Sequence, residues 1–294
     1  MTATIPVFYD AAQVACPASF SPSAAKPRMV VERWQAMASA VEIVAPWPLS
    51  RDQLELAHDS KYVSDVLDLR IANGFGDKDP TVAASLPWTT GSLLSAARRA
   101  LVSRQVAVSP TSGFHHACYA SGGGFCTFNG LMIAALALRA EGLVKKVAVL
   151  DCDEHYGNGT DDIIERLGLE TFIRHVTAGR GYPRNRRAFL NVLPDIVAGF
   201  ADCDLILYQA GADPHIDDPL GGWLSTEELY ERDRRVFAAA RRHALPVAWN
   251  LAGGYQRPIE KVLEIHDNTL RACIAEHLSA EAMVPTTYTG PAKN

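Results

Sequence analysis

Five short runs of apolar, β-prone residues recur along this chain, separated by helix-patterned sequence, and this alternation limits the fold more than any other feature. The runs are Ile5-Pro6-Val7-Phe8-Tyr9, Val106-Ala107-Val108, Val147-Ala148-Val149-Leu150, Leu205-Ile206-Leu207-Tyr208 and Val247-Ala248-Trp249-Asn250-Leu251. A strand that is apolar at every position has both faces covered, so the runs predict an α/β chain with a mostly parallel central sheet and helices on each side. Helical patterning covers 90–103, 130–142, 226–243 and 259–277, the third preceded by Ser225 with Glu228 three residues on, a capping-box pair. An open doubly wound sheet and a closed barrel both satisfy this alternation, and both gather ligands at the C-terminal strand ends. The 294 residues, 48% of them hydrophobic, contain no repeat and no Gly/Ser or Pro-rich linker. One domain over 1–284 is therefore expected, followed by a loose, small and polar tail at 285–294.

Charge and cysteine usage exclude several classes of function. The formal net charge is −5, and such a surface repels a phosphate backbone, so nucleic acid is not an expected partner. Two arginine-rich stretches, 184–187 and 232–242, are broken by acidic or apolar residues and read as solvated faces. The six cysteines form no CxxC pair, which fits a reducing compartment better than a disulfide framework or a cysteine metal cage. The longest apolar run, 131–138, is too short to span a bilayer. Pro6 and Asp10 interrupt anything resembling a secretion signal. A soluble, cytoplasmic protein is expected, with no membrane partner; nothing in the sequence indicates an oligomeric state.

Three of the runs end in polar, glycine-rich sequence. The run 147–150 opens into Asp151-Cys152-Asp153-Glu154-His155-Tyr156-Gly157-Asn158-Gly159. Residues two apart on an extended chain share a face, so Asp151, Asp153 and His155 point one way while Cys152 and Glu154 point the other. Carboxylate and imidazole together suit a divalent metal of borderline softness, zinc above all. Asp213, in Gln209-Ala210-Gly211-Ala212-Asp213 after another run, could add a third ligand and leave one position open. Taken singly, the Asp-x-Asp-x-His segment could equally be a hydrogen-bonded cluster at a helix start. His115 and His116 follow the run at 106–108 and could move protons to and from a reacting water and amine; adjacent histidines more often cap or pack. Ser121-Gly122-Gly123-Gly124-Phe125-Cys126 could present backbone groups to a substrate amide, or could form a surface turn. Tyr255, after Gly253-Gly254, could donate to an oxyanion or simply pack.

Read in order, these segments resemble histone deacetylase-like zinc amidohydrolases of the arginase/deacetylase superfamily, including bacterial acetylpolyamine amidohydrolase-like proteins. The blocks Gly113-Phe114-His115-His116 to Gly124-Phe125-Cys126, 151–159, 209–213 and Ala252-Gly253-Gly254-Tyr255 carry the likeness, from about residue 105 to 256. The resemblance implies a three-layer α/β/α fold with about eight strands and a single Zn2+ held by Asp153, His155 and Asp213. It implies that His116 acts as base and then acid, that His115 assists electrostatically, and that Asp151 and Asn158 orient His115 and His116. Tyr255 would polarise the scissile carbonyl and the Gly124 carbonyl would accept the substrate amide. Phe125 and Tyr182 would wall a tunnel, with Leu220 at its rim. The implied substrate is an acylated lysine peptide or small acylated amine, such as an N-acetylated polyamine. Leu220 lacks the carboxylate that would attract a second ammonium.

Two departures stand out. Asn158 occupies a position where many relatives have Asp. The structural K+ that the resemblance also implies would sit near Asp151, Asp153 and His155, but Ile173 falls where a hydroxyl ligand is usual. Three rivals remain at this level: a binuclear manganese ureohydrolase, a non-catalytic acyl-ligand binder, and an esterase using Cys126 or Ser121.

Overall fold

The computed structural model describes residues 4–37 and 40–278; the expected tail at 285–294 lies outside the described residues. Among them seven strands form one open, all-parallel sheet: β1 (Ile5–Phe8), β2 (Val41–Val44), β3 (Val106–Ser109), β4 (Val147–Asp151), β5 (Ile173–Val176), β6 (Leu205–Gly211) and β7 (Val247–Ala252). The strand order is β2-β1-β3-β7-β6-β4-β5. The sheet has two free edges and does not close, so the barrel alternative falls away, and the strand count is seven where about eight were expected.

Successive residues of each strand feed opposite layers. Val147, Val149, Leu205, Leu207 and Ala248 join one apolar cluster. Ala148, Leu150, Ile206, Tyr208, Val247 and Trp249 join the other. On the first face lie α2 (Arg51–Leu54), α3 (Ser60–Leu67), α4 (Pro80–Ser103), α5 (Gly130–Ala140) and α6 (Asn158–Leu167). On the second lie α1 (Lys26–Met37), α7 (Arg186–Ala198), α8 (Thr226–Arg242) and α9 (Glu260–His277). The result is the α/β/α sandwich implied by full burial of every central strand.

Local signals explain the element ends. The Ser225–Glu228 capping box opens α8 as expected. Helix α4 starts ten residues before the expected 90, because Asp79 caps it with Pro80 in the first turn, and Pro87 inside it masks the periodicity. Edge strand β2 leaves no continuous apolar run in the sequence, since its residues are only half buried and include Glu42.

One reading is overturned outright. The 232–242 stretch is not a solvated face throughout: Arg232 has no exposed surface, and Asp233 beside it is also buried. Both lie on the inward stripe of α8 with Leu229, Val236 and Phe237, at the i, i+3, i+4, i+7 spacing of a core-facing helix. The interspersed charges hid that stripe.

Candidate metal centre and active site

The order β3-β7-β6-β4 sets four strands side by side, so the segments leaving their C-terminal ends converge. Three ligand atoms from Asp153, His155 and Asp213 lie within 4.8 Å of one another, forming a metal-capable group among the described residues. His155 Nδ1 stands 3.1 Å from Asp153 Oδ1 and 3.1 Å from Asp213 Oδ2. The opposite face behaves as alternation requires, with Cys152 in the apolar core and Glu154 paired with Arg184.

Electrostatics at this cluster are those of a site built to hold positive charge. The hydrogen bond to Asp153, then that to Asp213, pushes His155 up to about 11 when no ion competes with the proton. Burial, and then the adjacent Asp153 charge, push the Asp213 carboxyl above the usual carboxylate range. Burial opposes ionisation of Asp153, but His115 and His155 outweigh it and hold its carboxyl below the usual range. The donor set of two carboxylates and one imidazole fits a zinc ion with an open position.

Both histidines border this cluster. His115 Nδ1 lies 2.7 Å from Asp151 Oδ2, and its Nε2 lies 3.6 Å from Asp153 Oδ1. Burial works against charging His115, but the charges of Asp151 and Asp153 prevail and raise it to about 9. His116 packs against it, ring centroids 4.0 Å apart, and its Nδ1 lies 2.6 Å from Asn158 Oδ1. Burial first, and the His115 charge second, lower the proton affinity of His116. The first turn of α6 fastens this block to the metal segment, since the Gly159 and Thr160 N–H groups donate to the His115 carbonyl.

Tyr255 leaves β7 through Gly253 (φ +49°) and Gly254 (φ +89°). A Cβ at Gly253 would sit 2.1 Å from the Asp213 carboxyl carbon, so glycine is required for the backbone to pass this ligand. Burial, then the Asp213 and Asp153 charges, raise the Tyr255 pKa far above that of a free phenol, which keeps its O–H as a donor. Its ring lies 5.6 Å from Phe125. Gly124 lies against the His116 ring, on the turn closed by hydrogen bonds between Gly123 and Cys126. Leu220 is exposed on the loop after Asp213.

Tyr182 is a correction. It does not meet Phe125; its ring packs on Phe189 at 4.7 Å and its hydroxyl donates to the carbonyls of Asp151 (3.2 Å) and Asp153 (3.4 Å). Besides Tyr255, the aromatic neighbours of Phe125 are Phe20 (5.1 Å) and Phe75 (5.8 Å). Ile173 likewise lies at the far end of β5, paired with Val147. The hydroxyl beside Asp151 belongs to Thr177, four residues later, at 3.2 Å.

Several other residues complete the surroundings of the site. Gln209 donates to Asp151 Oδ1 at 3.0 Å. Asp218 accepts the N–H of Tyr255 at 2.8 Å and that of Leu220 at 3.0 Å. Lys26 is fully buried and donates to the Gly253 carbonyl; burial lowers it to about 8 against the pull of Asp213 and Asp153. The rivals lose ground at named atoms. His215 is engaged by Thr226 and by the Asp217 N–H, where a second metal would need a ligand. Burial pushes the Cys126 thiol up to about 12, and its Sγ lies 3.4 Å from the Gly124 carbonyl, unlike a nucleophile.

The histone deacetylase domain model matches residues 22–185 and 170–272, and the chain belongs to that family. Among its relatives, an uncharacterised protein of Picosynechococcus sp. is 27% identical over 79% of this chain and 84% of its own length. Histone deacetylase 2 of Arabidopsis thaliana is 28% identical over 67% of this chain and 54% of its own length. The acetoin utilization protein AcuC of Bacillus subtilis is 25% identical over 72% of this chain and 66% of its own. In fold the chain is similar to the HDA15 HD domain (TM-score 0.75, 19% identity, 96% of this chain and 92% of that one). It is also similar to acetylpolyamine aminohydrolase from Burkholderia pseudomallei (TM-score 0.71, 19% identity, 92% and 99%). No helix among the described residues is long and apolar enough to cross a membrane.

Proposed function

We propose that this chain is a zinc-dependent deacylase that hydrolyses the amide of an acylated amine. The observation that carries this reading is the meeting of Asp153, His155 and Asp213 at one point bordered by the His115–His116 pair. A zinc ion bound there supplies Lewis acidity, polarising the acyl carbonyl and lowering the pKa of water towards about 7. The remaining work belongs to the chain. His116, neutral and with Nδ1–H donated to Asn158, offers Nε2 to the proton of the attacking water and returns it to the departing amine. His115, charged through Asp151, disfavours a proton on His116 until the reaction supplies one. Tyr255 donates a hydrogen bond from its phenol to the carbonyl oxygen as negative charge develops there. The Gly124 carbonyl is assigned to the substrate N–H, and Phe125 with Phe20 shields the reacting amide from bulk water.

The carrier is read as lysine in a peptide or another monoamine, because Leu220 brings no carboxylate for a second ammonium. The Tyr182 hydroxyl lies against the carbonyls of Asp151 and Asp153, and no role is assigned to a potassium ion there. The six cysteines are free, which suits a reducing cytoplasm. A hydrolysis screen of zinc-loaded protein over acyl chain length and amine carrier tests the reading. Turnover of acyl-lysine above acylpolyamine is expected; no hydrolysis of any acyl amide would reduce the chain to a binder of acyl ligands.

A further inference from the structure

We infer that Arg232 is a positioning residue for the metal centre, its guanidinium fixing the separation of the two segments that carry Asp153 and Asp213. The inference rests on the zinc reading above. Arg232 Nη1 donates to the carbonyls of Cys152 (3.1 Å) and Gly211 (2.7 Å). Cys152 immediately precedes ligand Asp153, and Gly211 lies two residues before ligand Asp213. The last register pair between β4 and β6 is Asp151 with Gln209, so the guanidinium bridges the two strands just past their ladder. The backbones nearly touch there: a Cβ on Gly211 would lie 2.6 Å from the Asp153 Cα. At that separation a small change in either strand end moves a ligand oxygen, and tetrahedral zinc tolerates little change around its ~2.0–2.2 Å oxygen distances.

A core that needed only filling would do without this charge, since burying a guanidinium costs several kcal/mol even when paired. Here Asp233 Oδ1 accepts from Arg232 Nε at 2.8 Å, and Asp233 is itself held by the hydroxyls of Tyr208 and Thr269. An apolar side chain of similar size would fill the space but offer neither carbonyl a donor. Arginine reaches the two carbonyls through Nη1 while its Nε holds Asp233, a spread of donors that the single ammonium of lysine matches poorly.

The test uses Arg232→Met combined with Asp233→Asn, so that no lone charge is left buried, alongside Arg232→Lys. Zinc affinity is read by chelator competition, and coordination geometry by the visible absorption of the cobalt(II)-substituted protein. Cooperative thermal unfolding reports whether each variant is folded. The double variant is expected to fold, to bind zinc ~10–100-fold more weakly, as loss of groups that orient metal ligands typically does, and to show an altered cobalt spectrum. Arg232→Lys should fall between it and the native protein. A folded double variant with native zinc affinity and native cobalt spectrum would overturn the inference. Should the double variant not fold, the same two readouts on Arg232→Lys decide, native values overturning it. Native protein that takes up neither ion would overturn the zinc reading itself, a different result.

Discussion

His116 is oriented by the amide of Asn158, with Nδ1 and Oδ1 2.6 Å apart, whereas its neighbour His115 is oriented by the carboxylate of Asp151. Two adjacent imidazoles thus receive opposite electrostatic treatment. The charges of Asp151 and Asp153 hold a proton on His115 against burial, whereas burial, and then the His115 charge, lower the proton affinity of His116. That separation of roles is what a base next to an electrostatic partner requires.

Replacing Asn158 by Asp tests this division. A carboxylate at Nδ1 favours imidazolium, so the His116 pKa rises and the base form is lost at higher pH as acid is added. The acidic limb of the kcat/KM profile should move to higher pH, with zinc content unchanged. An unmoved limb would remove His116 from the role of base.

Tyr255→Phe removes one oxyanion donor while leaving the ring packed on Phe125. Turnover should fall ~10²–10³-fold, with zinc stoichiometry as in the native protein. Near-native turnover would exclude the phenol from the chemistry.

Asp218 ties the N–H of Tyr255 to that of Leu220. Hydrogen bonds to a charged acceptor contribute about 1.5–3 kcal/mol, so Asp218→Ala should slow turnover roughly tenfold or more through a displaced Tyr255. Combined with Tyr255→Phe it should add little further loss. Additive losses would show that Asp218 acts elsewhere.

The parallel sheet, the ligand triad, the paired histidines and Tyr255 were legible because each leaves a local trace: continuous apolar runs, alternation along Asp151-Cys152-Asp153-Glu154-His155, glycines before a tyrosine. Tyr182 was misplaced because a ring near the site in sequence can point to either side of its loop, and only packing on Phe189 decides which. Arg232, Lys26 and Asp218 were illegible for a related reason. Each takes a backbone partner on a distant segment, and a buried charge satisfied by carbonyls or N–H groups looks the same in sequence as a solvated one.

Stability should carry its own pH signature. His58 sits beneath the histidine block, its Nδ1 against the carbonyls of Cys118 (3.0 Å) and Tyr119 (3.2 Å) and its Nε2 accepting the Asn129 N–H. Burial lowers its pKa from 6.5 to about 4. Below pH 6.5 the unfolded chain therefore takes up a proton that the folded one refuses. The His58 contribution, complete above 6.5, is lost as pH falls towards 4, by roughly 3 kcal/mol. Urea midpoints measured from pH 7 to pH 4 should fall accordingly, and a flat profile would contradict the burial of a neutral imidazole.

The most direct trial of the account is a zinc titration of metal-free protein, with hydrolysis of an acetylated amine followed at each addition. Activity should be absent at the start and should saturate at one equivalent per chain. Full activity without metal, or saturation only at two equivalents, would contradict a single ion held by Asp153, His155 and Asp213.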